Sequence, residues 1–495
     1  MAALMIQGCG SDVGKSVLVA GLCRLFTNRG YRVRPFKPQN MSNNAAVTEP
    51  DEQGRRGEIG RAQALQALAC RTPLTVHMNP VLLKPQSDVG SQLVVRGQVE
   101  ASYQALAYQA RKSALLEMVL DSFRRLEAEA DLVLVEGAGS PAEINLRQGD
   151  IANMGFALAA DVPVVLVGDI DRGHVIAALV GAKAVLDAAD ARAIRGFIIN
   201  KFRGDPALFD DGRSEIVNRT GWPDMGLVPW LAAARRLPAE DAVVLSAPAD
   251  PTRRQVRIVV PVLRHIANFD DFDPLQAEPG VDLIYVPPGQ PLPGDADLVI
   301  LPGSKATLSD LAFVREQGWD IDLKAHVRRG GQVLGVCGGF QMLGRTVADP
   351  DGVEGPAGAA QGLGLLEIDT ILTGDKVLAP CRGRTVAGDA PYEGFEMHMG
   401  RTTGQGLMRP LLVREDGSGE GAVSADGRVS GCYVHRLFDA GPARVALLAE
   451  LGLFSRAADH QVAVDRALDE IAAVLESHLD IAALARLAVL KDFST

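Results

Sequence analysis

The sequence has little with which to cross-link, anchor or positively charge itself. Its six cysteines (Cys9, Cys23, Cys70, Cys337, Cys381 and Cys432) include no C-x-x-C pair, so neither a zinc ribbon nor a disulfide framework is indicated, and a reducing cytoplasm suits them. No uncharged apolar run reaches the roughly 18 residues of a membrane span. The opening "MAALMIQGCG" lacks the basic and long apolar regions of a signal peptide, so a soluble, cytoplasmic chain without a membrane partner is expected. Positive charge is in deficit: 50 Lys and Arg against 61 Asp and Glu give a formal net charge of -11. That balance argues against a nucleic-acid partner, and it requires any anionic substrate to be held by a local basic patch. Internal repeats and low-complexity segments are also missing.

What is present is ordinary globular material in quantity. At 495 residues the chain is too long for one hydrophobic core, which predicts more than one domain. The first half alternates helical patterns with short apolar runs: 4–7, 31–36, 131–137, 162–169 and 194–200. Runs without in-out alternation are buried on both faces, as in a parallel sheet covered by crossover helices, so the fold class is α/β and doubly wound. The proline-bearing polar stretch at 239–255 reads as a linker after a first domain at 1–238. A second alternating series (256–262, 281–287, 297–303 and 331–339) opens a second α/β domain over 256–450. "YEGFEMHMG" and "RVSGCYVHRLF" read as strands of a mixed sheet. A helical tail follows at 451–495, with Val464, Leu468, Ile471 and Leu475 at helical spacing and Asp480 placed to cap a last helix.

"GCGSDVGKS", residues 8–16, stands between the first strand and a helical pattern, the context of a phosphate loop, where backbone amides and a helix N-terminus both point at the anion. Gly10, Ser11, Asp12, Val13 and Gly14 form the cradle, Lys15 reaches the β and γ phosphates, and Ser16 ligates Mg²⁺. The loop is one residue longer than the common spacing, and in this it resembles dethiobiotin synthetase and its relatives, ATP enzymes that phosphorylate a carboxylate or carbamate. That resemblance implies a lysine near the reacting phosphate at Lys37, a second Mg²⁺ ligand at Glu136 and an adenine-reading residue at Asn200.

"GVCGGFQMLG" sets Cys337 between an apolar strand and a helical pattern, with flanking glycines that suit a nucleophile elbow. A helix N-terminus favours the thiolate there, and the Gly338 amide faces a developing oxyanion. Gly303 and Ser304 in "LPGSKAT" offer the other oxyanion donor, and His435 in "GCYVHRLF" is the candidate base. This set resembles the class I glutamine amidotransferases. It departs from them in having Leu437 where the typical domain has a glutamate two residues after the histidine, so the partner that orients His435 is open. His398 is a competing histidine, read as structural or as lining the domain interface.

Carried by "RPFKPQNMSNNAAVT", "LVEGAGSPAEINLR", "VGDIDRGHV", "RHIANFDDFDPL" and "LPGSKAT" besides the motifs above, the likeness extends to about residue 450 and is to the cobyrinic/cobyric acid amidotransferase family of cobalamin biosynthesis. It implies glutamine as nitrogen donor, ATP and Mg²⁺ as cofactors, and a corrinoid substrate, adenosylcobyrinic acid a,c-diamide. The implied reaction amidates the b, d, e and g carboxylates. Arg61, Lys84, Arg147 and Arg172 are expected as candidates to pair with those acidic arms, and Asp169 and Asp171 as candidates to position metal or substrate. A homodimer stays open. So do the a,c-diamide synthase, another ATP-dependent amidoligase and, from a different class, a ParA-like nucleotide switch.

Overall fold

Strand Ala2–Gly8 is buried along its whole length, and its alternate side chains enter two different cores. Leu4 and Ile6 pack with Leu18, Leu22 and Phe26 of helix Lys15–Asn28, whereas Ala3 and Met5 pack with Phe36, Phe123 and Phe156. In the computed structural model, which describes residues 2–85, 90–238, 255–455, 459–491 and 493 (side chains of 101–110 and 113 excepted), this strand lies inside a six-stranded parallel sheet. The sheet order is Asp224–Pro229, Ile194–Phe202, Val164–Asp169, Ala2–Gly8, Leu132–Glu136, Val33–Phe36. It is the doubly wound first domain that the apolar runs predict. The expected linker falls outside the described residues except for Gln255.

The second domain repeats the logic. Parallel strands Val281–Val286, Val256–Pro261, Leu298–Leu301, Gln332–Val336 and Val429–Cys432 share one sheet, closed by the antiparallel Ala422–Val423. Beside it stands a mixed sheet built on a long hairpin, Asp369–Thr385 with Pro391–Thr403. Strand Gln98–Gln104 runs directly into helix Ala105–Glu129. With Gln39–Met41, Val81–Pro85 and Gly90–Val95 it forms a separate four-stranded sheet.

Helix His460–His478 returns to the first domain. Val464, Leu468, Ile471 and Leu475 enter the core beneath helix Lys15–Asn28, and buried Arg24 pairs with Asp465 at 2.5 Å. Asp480 caps the last helix, Ile481–Leu487, accepting from Ala483 N at 2.8 Å.

The two domains meet along one seam. Ala45, Leu82 and Val94 pack against Phe395 and Met397 of the hairpin. Arg61 pairs with Asp270 at 2.6 Å, and the Ala45 amide donates to Asn268 Oδ1 at 3.0 Å.

Candidate active site

Carbonyls of the phosphate loop are held by side chains. Gly10 O accepts from Lys15 Nζ at 2.8 Å, Val13 O from Asn200 Nδ2 at 2.8 Å, and Asp12 O from Lys201 Nζ. Gly14, at φ 91°, caps the helix at its first turn, and a Cβ there would collide with Asn200. Below the loop, Glu136 is fully buried at the end of its strand; its Oε1 accepts from Ser16 Oγ and from Lys37 Nζ, each at 2.8 Å, and its Oε2 from Gln66. Ser16, Lys37 and Glu136, up to 120 residues apart, therefore share one point. These groups fit Mg-ATP: a hydroxyl and a buried carboxylate side by side for the cation, lysines for phosphate, and a buried Asn200 Oδ1 with no partner among the described residues. Gln66 had no sequence signal as a site residue, since it reads simply as one polar position of an amphipathic helix.

The four cations considered for substrate arms are engaged within the protein. Arg61 pairs with Asp270, Lys84 with Glu58 at 2.6 Å, Arg147 with Asp190 at 2.6 Å, and Arg172 lies 3.6 Å from Asp12. Asp169 is held by Lys201 at 2.9 Å and Asp171 by Arg203 at 2.8 Å.

In the second domain the chain turns sharply at Cys337, whose φ of 52° and ψ of -112° lie in a strained region for a non-glycine residue. The turn is tied down by Cys337 N donating to Cys432 O at 2.9 Å, and the thiol donates to Met397 O at 3.5 Å. Glycine is required next: a Cβ on Gly338 would stand 2.9 Å from Ser304 N. Lys305 N donates to His265 O across the short Gly303–Ser304/Ile266–Ala267 ladder, so the Ser304 amide, one residue earlier, points the opposite way, toward Gly338. By the same alternation the Gly303 amide faces Ala267, whereas the Ser304 amide lies beside Gly338.

His435 follows the strand neighbouring that of Cys337, and the two side chains line one cavity. Its Nδ1 is 2.7 Å from Asp271 Oδ2. Burial alone would lower the imidazole, but the Asp271 carboxylate overrides it, with help from Cys337, and pushes His435 up to about 10. Asp271 thus stands where the absent glutamate would act. Its other oxygen accepts from Arg436 N at 2.8 Å. The sequence signal for it is only the acidic pair in "ANFDDFDPL", 164 residues before the histidine. His398 stacks on Tyr433 with ring centroids 3.7 Å apart and lines the same cavity, away from the Asp271 pair. That cavity is lined from both domains, by Asn43 and Lys84 of the first and by Ser304, Lys305, Cys337 and His435 of the second.

A family model described as "CobQ/CobB/MinD/ParA nucleotide binding domain" matches residues 4–244, and one described as "CobB/CobQ-like glutamine amidotransferase domain" matches 257–443. Fold, site and both matches define a glutamine-hydrolysing amidotransferase of the ligase type, joined to its own nucleotide-binding domain. Near-full-length relatives sharpen this. "Cobyric acid synthase" of Caulobacter sp. (strain K31) is 70% identical over 489 residues, covering 99% of this chain and 100% of the relative. Those of Sphingopyxis alaskensis and Methylocella silvestris are each 60% identical over 98% or more of this chain and 99% or more of theirs. The chain belongs to the cobyric acid synthase family of cobalamin biosynthesis.

Among the described residues no helix is long and apolar enough to cross a membrane, and no cluster of His, Cys, Asp and Glu could by itself hold a metal ion. All six cysteines are free.

Proposed function

We propose that this chain converts adenosylcobyrinic acid a,c-diamide to adenosylcobyric acid in the cytoplasm, amidating the b, d, e and g carboxylates with one ATP and one glutamine per amide. The observation that carries the reading is the fully covered relative of the same family, at 70% identity, joined to a site in which both half-reactions have their residues. Ser16 and Glu136 would hold Mg²⁺, which would screen the phosphate charges. Lys15 and the loop amides hold the β and γ phosphates. Lys37, now on Glu136, is placed to follow the transferred phosphoryl group to the substrate carboxylate. Phosphorylation turns a poor electrophile into an acyl phosphate that ammonia can displace.

Ammonia comes from glutamine at Cys337. The thiolate attacks the carboxamide carbon while the Ser304 and Gly338 amides stabilise the oxyanion. His435, which keeps its proton at neutral pH through Asp271, delivers it to the departing ammonia. Water then hydrolyses the thioester to glutamate. The seam between the domains keeps the ammonia from bulk water and from protonation.

Replacing Cys337 by alanine tests the division of labour. Glutamine-dependent amidation should fall by at least about a thousandfold, as for loss of a nucleophile, while free ammonia still supports amidation. A variant that still uses glutamine contradicts the assignment.

A further inference from the structure

The cavity at Cys337 holds more buried positive charge than its own carboxylates neutralise. Three lysines lie in and around it: Lys84 and Lys376 share the buried carboxylate of Glu58, whereas the Lys305 ammonium forms no hydrogen bond or ion pair among the described residues. Lys305 is 7% exposed and lines the cavity. Burial, and then the neighbouring Lys84 ammonium, hold it below the ordinary lysine value; Glu354, Glu58 and Cys337 oppose this. Glu354, which also lines the cavity, accepts from the Thr307 amide at 2.8 Å. Asn43 of the first domain, which also lines the cavity, presents a buried Oδ1 with no partner among the described residues. An unpaired buried ammonium costs free energy that an anionic ligand recovers, and an orphan carbonyl oxygen calls for a donor.

We infer that Lys305 binds the α-carboxylate of the glutamine whose carboxamide is attacked at Cys337, and that Asn43 Oδ1, with Glu354 beside it, receives the α-ammonium. The inference rests on the glutaminase reading above and deepens it by naming the groups that select a free amino acid. Because Asn43 belongs to the ATP-binding domain, the glutamine site is complete only when the two domains are docked. Lys305 is a specificity residue here, remote from the bond that breaks.

The test compares hydrolysis of L-glutamine with that of L-glutamine α-amide, which keeps the reacting carboxamide and lacks the carboxylate charge. It uses the full chain and its Lys305→Met and Lys305→Arg variants. The parent should prefer glutamine in kcat/KM by about tenfold or more, the worth of a charge-assisted hydrogen bond. Lys305→Met should lose most of that preference through a raised KM for glutamine, with KM for the α-amide little changed, and Lys305→Arg should restore it. A Met variant that keeps the parent's preference overturns the inference. Should that variant not fold, calorimetric titration of the intact Cys337→Ala chain decides: tighter binding of glutamine than of its α-amide supports the inference, and equal affinities overturn it. A parent that hydrolyses neither substrate would instead overturn the glutaminase reading itself, a result in which Lys305 plays no part.

Discussion

His435 sits where burial and charge pull in opposite directions, and the outcome depends on one neighbour. Asp271→Asn should keep the bond from the Arg436 amide while removing the charge that holds the imidazole protonated. Glutaminase kcat should then drop by two orders of magnitude or more, with ammonia-dependent amidation far less affected; steady-state assays with each nitrogen donor check this. The same pair has a stability signature. A folded-state value of about 10 lies above the ordinary histidine value of 6.5, so its contribution is fully present below about pH 6.5 and is lost as pH rises toward 10. Urea unfolding should therefore show the parent more stable than Asp271→Asn by more than about 1 kcal/mol at pH 6, with the gap closing by pH 10. Cys337 and His435 were legible because each carries its signal locally, a glycine-flanked turn and a strand-end histidine. Asp271 was not, because only the folded chain brings that loop to the end of the histidine strand. Asn43 and Lys305 were hidden for a related reason: what singles them out is the lack of a partner in a cavity.

At the scale of elements, the parallel strands were legible because continuous apolar runs have few other uses in a soluble chain. The return strand of the long hairpin was legible too, as "YEGFEMHMG", but strand Asp224–Pro229, the first strand of the hairpin and the four-stranded sheet were not. Asp224–Pro229 and Gln39–Met41 are short and mixed in polarity, and Gln98–Gln104 runs straight into a helix whose pattern masks it. The tail's helical spacing was plain, but its docking partner was not, since an apolar stripe does not say which core it joins. Docked under helix Lys15–Asn28, the tail helps to hold the phosphate loop at that helix's start. Leu468, fully buried there, should cost about 2–5 kcal/mol on truncation to alanine, measured by urea unfolding, and should weaken ATP binding by loosening the loop. A change within 0.5 kcal/mol would mean that the tail is not part of this core.

For the whole molecule, the seam between domains decides whether two half-reactions make one enzyme. It is polar at its centre. Glu58, completely buried, is held well below the usual carboxylate range because Lys376, Lys84 and Lys305 outweigh the effect of burial. Burial in turn draws Lys376 down to about 7 against the pull of Glu58. Glu58→Gln would leave Lys84 and Lys376 confronting each other without their shared anion, which should destabilise the docked protein by about 3–5 kcal/mol in urea unfolding, with part recovered on adding Lys376→Met. Arg61 crosses the same seam to Asp270, next to the residue that orients His435. Ordered docking of the first domain and a poised glutaminase are thus joined by contact.

The most direct measurement of the account is mass spectrometry of adenosylcobyrinic acid a,c-diamide incubated with the protein, Mg-ATP and glutamine labelled at the amide nitrogen. The account predicts a corrinoid carrying label at each of the b, d, e and g arms, formed only when ATP is present. Glutamine hydrolysis and ATP turnover without label on the corrinoid would contradict it.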